Sequence, residues 1–264
     1  MKKLFALLLA MAMVFALAAC SNTNPTTAPT TAPTNPSNPT DPTDPTDPTD
    51  PVVTVMTYEE FVAAEMETEV VVECYVQATQ GWWFNEDVGH GVITAYAQDE
   101  NGGYFLYDMT CSEEDSARLT AGTKLRVTGV KSEWAGEVEI IEATFEILEG
   151  SWIAEAQDVT ELLGTEELAT KMNQLVAFKD MVVVSWEYKN ETVGQDIYLT
   201  VSHNGAEYEF CVESYLTADG TETYDAVEAL GVGDVINVEG FLYWYNGANP
   251  HITSVTVQSP IVIG

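Results

Sequence analysis

The sequence predicts an all-β fold with short helices, arranged as two small β domains in tandem behind an unstructured leader. Three features point there. Runs of Val, Ile, Tyr, Phe and Thr alternate with polar residues at period two, as half-buried strands do. The order of those runs, and of the glycines between them, recurs about 103 residues downstream. Some 210 residues follow the proline-rich segment, enough for two domains of roughly 100 residues each.

The chain opens with Lys2 and Lys3, an apolar run from Leu4 to Leu17, two alanines and then Cys20. A charged start, a short apolar stretch and small residues form the grammar of a secretory signal. The run is short for a membrane span, which needs roughly 20 residues. Leu17-Ala18-Ala19-Cys20 resembles a bacterial lipobox. The resemblance implies that residues 1–19 are a lipoprotein signal peptide cleaved before Cys20. It also implies a diacylglycerol on the Cys20 thiol and a mature protein anchored at the extracellular face of the cell membrane. Residues 20–53 then form a disordered stalk rich in Thr, Pro and Asp. Nine of the 11 prolines fall between Pro25 and Pro51, and Thr-Asp-Pro repeats without a break from Thr40 to Pro51. Such a composition buries no core and favours extended polyproline II, which at about 3.1 Å per residue reaches on the order of 90 Å here. The expected folded domains are residues 54–150 and 151–264.

The net charge is −33, from 42 acidic and nine basic residues, and becomes −35 without residues 1–19. A body this acidic repels polyanions over a Debye length of about 8 Å at physiological salt. Affinity for nucleic acid ordinarily rests on Lys and Arg, so unassisted binding to DNA, RNA or anionic lipid is disfavoured. Cations, divalent metals and neutral sugars stay open. Arg118, Lys124, Arg126 and Lys131 crowd one stretch, where they either balance neighbouring carboxylates or form a local anion site.

With Cys20 lipidated, Cys74, Cys111 and Cys211 remain, an odd number without a C-x-x-C. Neither a disulfide framework nor a zinc site is signalled, and a Cys74–Cys111 bond and buried free thiols are both open. His90, His203 and His251 are solitary, and no H-x-x-x-H, G-x-S-x-G or phosphate-loop pattern is present. With so many carboxylates, a chance acid pair is no evidence of hydrolysis. Asp219, Glu222 and Asp225 form the best calcium candidate, but without the twelve-residue spacing and terminal glutamate of a calcium hand. The competing expectation is an acidic turn capping a helix near Tyr224.

In the first half, strands are expected at 70–76, 92–98, 104–109, 124–130 and 138–148. Helices are expected after the capping-box pattern Thr57-Tyr58-Glu59-Glu60 and over 113–119. Asn101-Gly102 and Asn204-Gly205 lie 103 residues apart, each a hairpin signal that supplies positive φ. The same offset pairs Trp83 with Trp186, Tyr75 with Phe178 and Tyr107 with Phe210. After an insertion near 216–224, Gly122, Gly129 and Gly136 match Gly233, Gly240 and Gly247, with Leu125 on Ile236 and Val127 on Val238. Each half then has five strands with a helix between the third and fourth.

The frame L…G-x-x-L-x-V-x-G…(W/Y)-x-G in Leu119–Gly136 and Leu230–Gly247 resembles the OB-fold, a five-stranded Greek-key barrel. The same strand pattern also suits another small barrel or a sandwich. As a whole, the chain resembles Gram-positive cell-surface lipoproteins with tandem OB-like domains. The resemblance implies ligand contacts on the loops joining strands one and two and strands four and five. Those loops hold Trp82, Trp83, Phe84 and Trp134 in the first domain, and Trp186, Tyr188, Tyr243, Trp244 and Tyr245 in the second. Flat rings there stack on sugars, bases or cations; equally, they plug barrel ends or cement the two domains.

The functional expectation is a non-catalytic, lipid-anchored binding protein whose aromatic loops hold a glycan, peptide or protein, with no cofactor. Single-stranded nucleic acid is the alternative, since OB-like barrels commonly bind it. A metal-dependent hydrolase accessory comes third.

Overall fold

The computed structural model describes residues 54–258; the lipobox with Cys20, the proline-rich segment to Val53 and residues 259–264 lie outside them. Helix α1 (Tyr58–Ala63) begins with the expected capping box. The Thr57 hydroxyl accepts from the Glu60 N–H at 3.2 Å, and the Glu60 carboxylate accepts from the Thr57 N–H at 2.8 Å.

The first half then builds β1 (Glu69–Thr79), β2 (Trp83–Asn85), β3 (His90–Gln98), β4 (Gly103–Thr110), α2 (Glu113–Ser116), β5 (Thr123–Trp134) and β6 (Glu137–Ser151). The second builds β7 (Gln157–Asp158), β8 (Leu175–Tyr188), β9 (Ile197–His203), β10 (Ala206–Val212), α3 (Glu222–Glu228), β11 (Val235–Phe241) and β12 (His251–Val257). The first sheet runs β1-β5-β6-β4-β3-β2 and closes through β1–β3; the second runs β11-β12-β10-β9-β8-β7 and closes through β11–β8.

Setting aside the short β2 and β7, each sheet is a closed five-stranded barrel. The third and fifth long strands pair in parallel in each, β4 with β6 and β10 with β12. The other long-strand pairings are antiparallel. A helix joins the third strand to the fourth in both. This is the OB-like Greek key, present twice, and closure leaves none of its long strands with a bare edge.

The cores follow from alternation. Val70, Val72, Cys74 and Val76 of β1 point inward, and Val176 and Phe178 do so in β8. Among the described residues, Cys74, Cys111 and Cys211 are free and buried. The glycine frame has a physical cause in both halves. Gly122 and Gly233 sit at φ +90° and +92°, and Gly129 and Gly240 lie at bulges where a Cβ would meet the neighbouring strand's backbone.

Two sequence expectations need correction. Positive φ occurs at Asn204 and Gly205 but not at Asn101 and Gly102. There the Asp99 carboxylate accepts from both N–H groups, at 2.6 and 2.9 Å, and makes the turn instead. The strand matches at offset 103 are also one residue out. Tyr75 and exposed Tyr107 face outward while Phe178 and Phe210 are core, so the inward counterparts are Cys74 and Leu106. In a β-strand a slip of one residue reverses the face.

The two barrels share one seam. Tyr96 stacks on Phe241 at 4.4 Å and 8°, and its hydroxyl is hydrogen-bonded to His251 Nδ1 at 2.9 Å. The Leu175 N–H donates to Gln98 Oε1, the Asn246 N–H to the Ala135 carbonyl and the Trp244 N–H to Glu137 Oε2. The described residues 54–258 form one compact unit.

Candidate binding cleft

A cavity of about 640 Å³ opens along this seam and draws its walls from both barrels. Its aromatic lining is Phe105, Tyr107 and Trp134 from the first barrel and Tyr198, Tyr215, Tyr243 and Tyr245 from the second. Trp134 leans on Tyr245 at 5.2 Å; Phe105 meets Tyr243 edge-on at 5.3 Å; Tyr243 stacks on His251 at 4.4 Å. The positions follow from strand alternation: Phe105 and Tyr107 share one face of β4, while Trp134 and Tyr245 stand on hairpins that approach one another.

The polar lining is acidic. Lys189, its one cation among the described residues, pairs with Asp196 at 2.7 Å. Burial raises the Asp196 pKa, but hydrogen bonds from Lys189 and Ser214 outweigh it and hold that carboxyl below its ordinary value. Glu213 takes a hydrogen bond from Gln80 of the other barrel at 3.2 Å, and burial still pushes it up to about 7. Glu139 is 8% exposed and accepts no hydrogen bond among the described residues; burial first and the Asp108 charge second raise its pKa. Burial keeps His251 neutral, pulling it down to about 3, and pushes the Cys211 thiol up.

Glu137 is fully buried in the seam and pushed up to about 8 by burial, against the hydrogen bond its carboxylate accepts from the Trp244 N–H. Glu137 Oε1 and Asn173 Oδ1 are both buried without a partner.

The nine rings expected at the loops divide. Trp134, Tyr243 and Tyr245 line the cleft. Trp83 and Phe84 stand exposed on β2, away from it. Trp82 and Trp186 pack against the two cores and donate to the carbonyls of Cys111 and Leu230, at 2.9 and 3.1 Å. Tyr188 also packs on the second core, its hydroxyl held by Glu228. Trp244 covers Gly136 of the first barrel and is part of the seam. For Trp82, Trp186, Tyr188 and Trp244, packing explains the ring.

Asp219, Glu222 and Asp225 do not converge, and no group of three metal-ligating side chains does so among the described residues. Thr221 caps α3, with Glu222 and Asp225 in its first turn. The four clustered bases balance carboxylates or cap a helix. Lys124 and Arg126 share Glu73, Arg118 pairs with Asp115, and Lys131 donates to three carbonyls at the end of α1. Gln80, Glu139, Asp196 and Glu213 were missed by sequence reasoning; the burial that sets the three acids apart, and the position of Gln80 across the seam from Glu213, have no local signature.

No family model and no curated relative matches this chain. Among solved structures, the p202 HIN2 tetramer is similar at 10% identity and TM-score 0.32, over 74% of this chain and 96% of that one. A murine DNA-binding protein bound with double-stranded DNA is similar at 11% identity and TM-score 0.36, over 72% and 96%. A replication protein A heterotrimer bound to single-stranded DNA is similar at 12% identity and TM-score 0.31, over 74% of this chain and 50% of that one. The strand order above, rather than these distant likenesses, carries the fold.

Proposed function

We propose that the folded body is a non-catalytic binding module that presents the inter-barrel cleft to an extracellular glycan, peptide or protein. A lipid on Cys20 and the Thr-Asp-Pro segment would tether it to the outer face of a bacterial membrane. One observation supports the cleft above all: seven aromatic rings from two barrels converge on a single cavity of about 640 Å³. That volume lies within the roughly 300–1,000 Å³ usual for ligand sites, and ring faces beside carboxylates suit hydroxylated or cationic ligands.

Single-stranded nucleic acid is the second reading. It is favoured by the exposed rings Trp83, Phe84, Trp134 and Tyr245, since every base has a face to stack. The acidity of the cleft weighs against it, because a phosphate backbone seeks cations. Screening the full chain on combined glycan, peptide and oligonucleotide arrays separates the readings. Retention of a neutral or cationic ligand is expected, lost in Trp134→Ala with the melting temperature unchanged. Salt-sensitive retention of oligonucleotides alone would favour the second reading.

A further inference from the structure

We infer that the cleft selects a ligand bearing a protonated amine, whose ammonium pairs with the Glu139 carboxylate while its carbon skeleton lies along Phe105, Tyr107 and Trp134. The inference rests on the cleft being the binding site. Glu139 stands opposite Phe105 in the β4–β6 pairing, and its charge is felt at the hydroxyls of Tyr107 and Tyr243. The residue is 8% exposed, its carboxylate has no hydrogen-bond partner among the described residues, and it lines the cavity.

A buried carboxylate left alone is costly, and a counter-charge delivered by a ligand removes that cost. Among the described residues, the cation lining the cleft, Lys189, is already committed to Asp196. Glu209 and Glu213 add further negative charge to the same lining. Tyrosine and tryptophan faces attract cations as well as apolar surface, by about 0.5–2 kcal/mol each. A neutral sugar would hydrogen-bond Glu139 but leave its charge uncompensated, and a polyanion would be repelled.

The test is calorimetric titration of the detergent-solubilised full chain with pentane-1,5-diamine and with its neutral isostere pentane-1,5-diol, while following tryptophan emission. Wild type is expected to bind the diamine about tenfold or more tightly than the diol. Glu139→Gln should lose about tenfold in diamine affinity, whereas Glu149→Gln, an exposed carboxylate outside the cleft, should change it less than about twofold. Glu139→Gln removes an unpaired buried charge, so its melting temperature should hold or rise, which separates lost binding from lost folding. Equal diamine affinity in the Glu139 and Glu149 variants would overturn the inference. Trp134-dependent binding of a neutral oligosaccharide without Glu139-dependent binding of the diamine would overturn it too, yet leave the cleft as the binding site.

Discussion

The two barrels have the same strand order but are covered by different elements. In the second, α3 lies between the third and fourth strands and buries Tyr224 and Val227. In the first, α2 occupies the same place in the chain with only four residues and buries none of them. Cover comes instead from α1, upstream of the barrel, through Phe61. A helix anchored by so few apolar contacts needs another hold, and Lys131 of β5 provides it. Its ammonium, almost wholly buried, donates to the carbonyls of Phe61, Val62 and Ala64 at 2.8–2.9 Å. The barrel is thus indifferent to where its cover originates, provided that apolar surface is buried and the helix-end carbonyls are satisfied.

The largest test of that contrast is Lys131→Met. Three carbonyls lose their donor at once, and a loss of about 3 kcal/mol is expected by urea denaturation. α1 should become the first segment to exchange its amide hydrogens. The matching change in the second barrel, Tyr224→Phe, removes only a hydroxyl that donates to the Gln195 carbonyl and accepts from the Gly194 N–H. It should cost about 1 kcal/mol. Equal losses would break the contrast.

The seam gives the next effect, through pH. Glu137, at about 8, and Glu213, at about 7, bind protons more readily in the folded chain than when unfolded. Stability should therefore rise as pH falls from 8 towards 4.5. His251, held down to about 3, opposes this below about pH 6.5, where only the unfolded imidazole takes up a proton. Between pH 8 and 6 the carboxyls dominate, and a gain on the order of 2 kcal/mol is expected in thermal melts. Glu137→Gln, which keeps an acceptor for the Trp244 N–H and cannot titrate, should remove most of the slope above pH 7.

Much of this architecture was legible in the sequence. Alternation located all ten long strands or their repeat equivalents, and the three glycine pairs marked turns and bulges that truly coincide. What misled was parity. Trp82, Trp83 and Phe84 are adjacent, and composition alone cannot say which faces inward. Anchoring the repeat on the two Asn-Gly turns placed Trp83 on Trp186, whereas Trp82 is the ring with the same core packing and the same carbonyl hydrogen bond. The cleft was the least legible feature. It joins residues more than 100 positions apart, and Glu139 and Glu213 look like any of the 42 acids until burial sets them apart.

That indole equivalence gives the smallest prediction. Trp82→Phe and Trp186→Phe each lose one hydrogen bond and part of a ring, and each should cost about 1 kcal/mol in denaturant melts. Trp83→Phe, on an exposed ring, should cost within about 0.5 kcal/mol. A larger loss at Trp83 than at Trp82 would restore the offset of 103.

Hydrogen exchange on the full chain, with and without an array-identified ligand, tests most directly whether the two barrels form one site. Shared binding predicts simultaneous protection of the β5–β6 hairpin around Trp134–Gly136 and of the Tyr243–Asn249 segment. Protection confined to one barrel, or centred on Trp83 and Phe84, would contradict it.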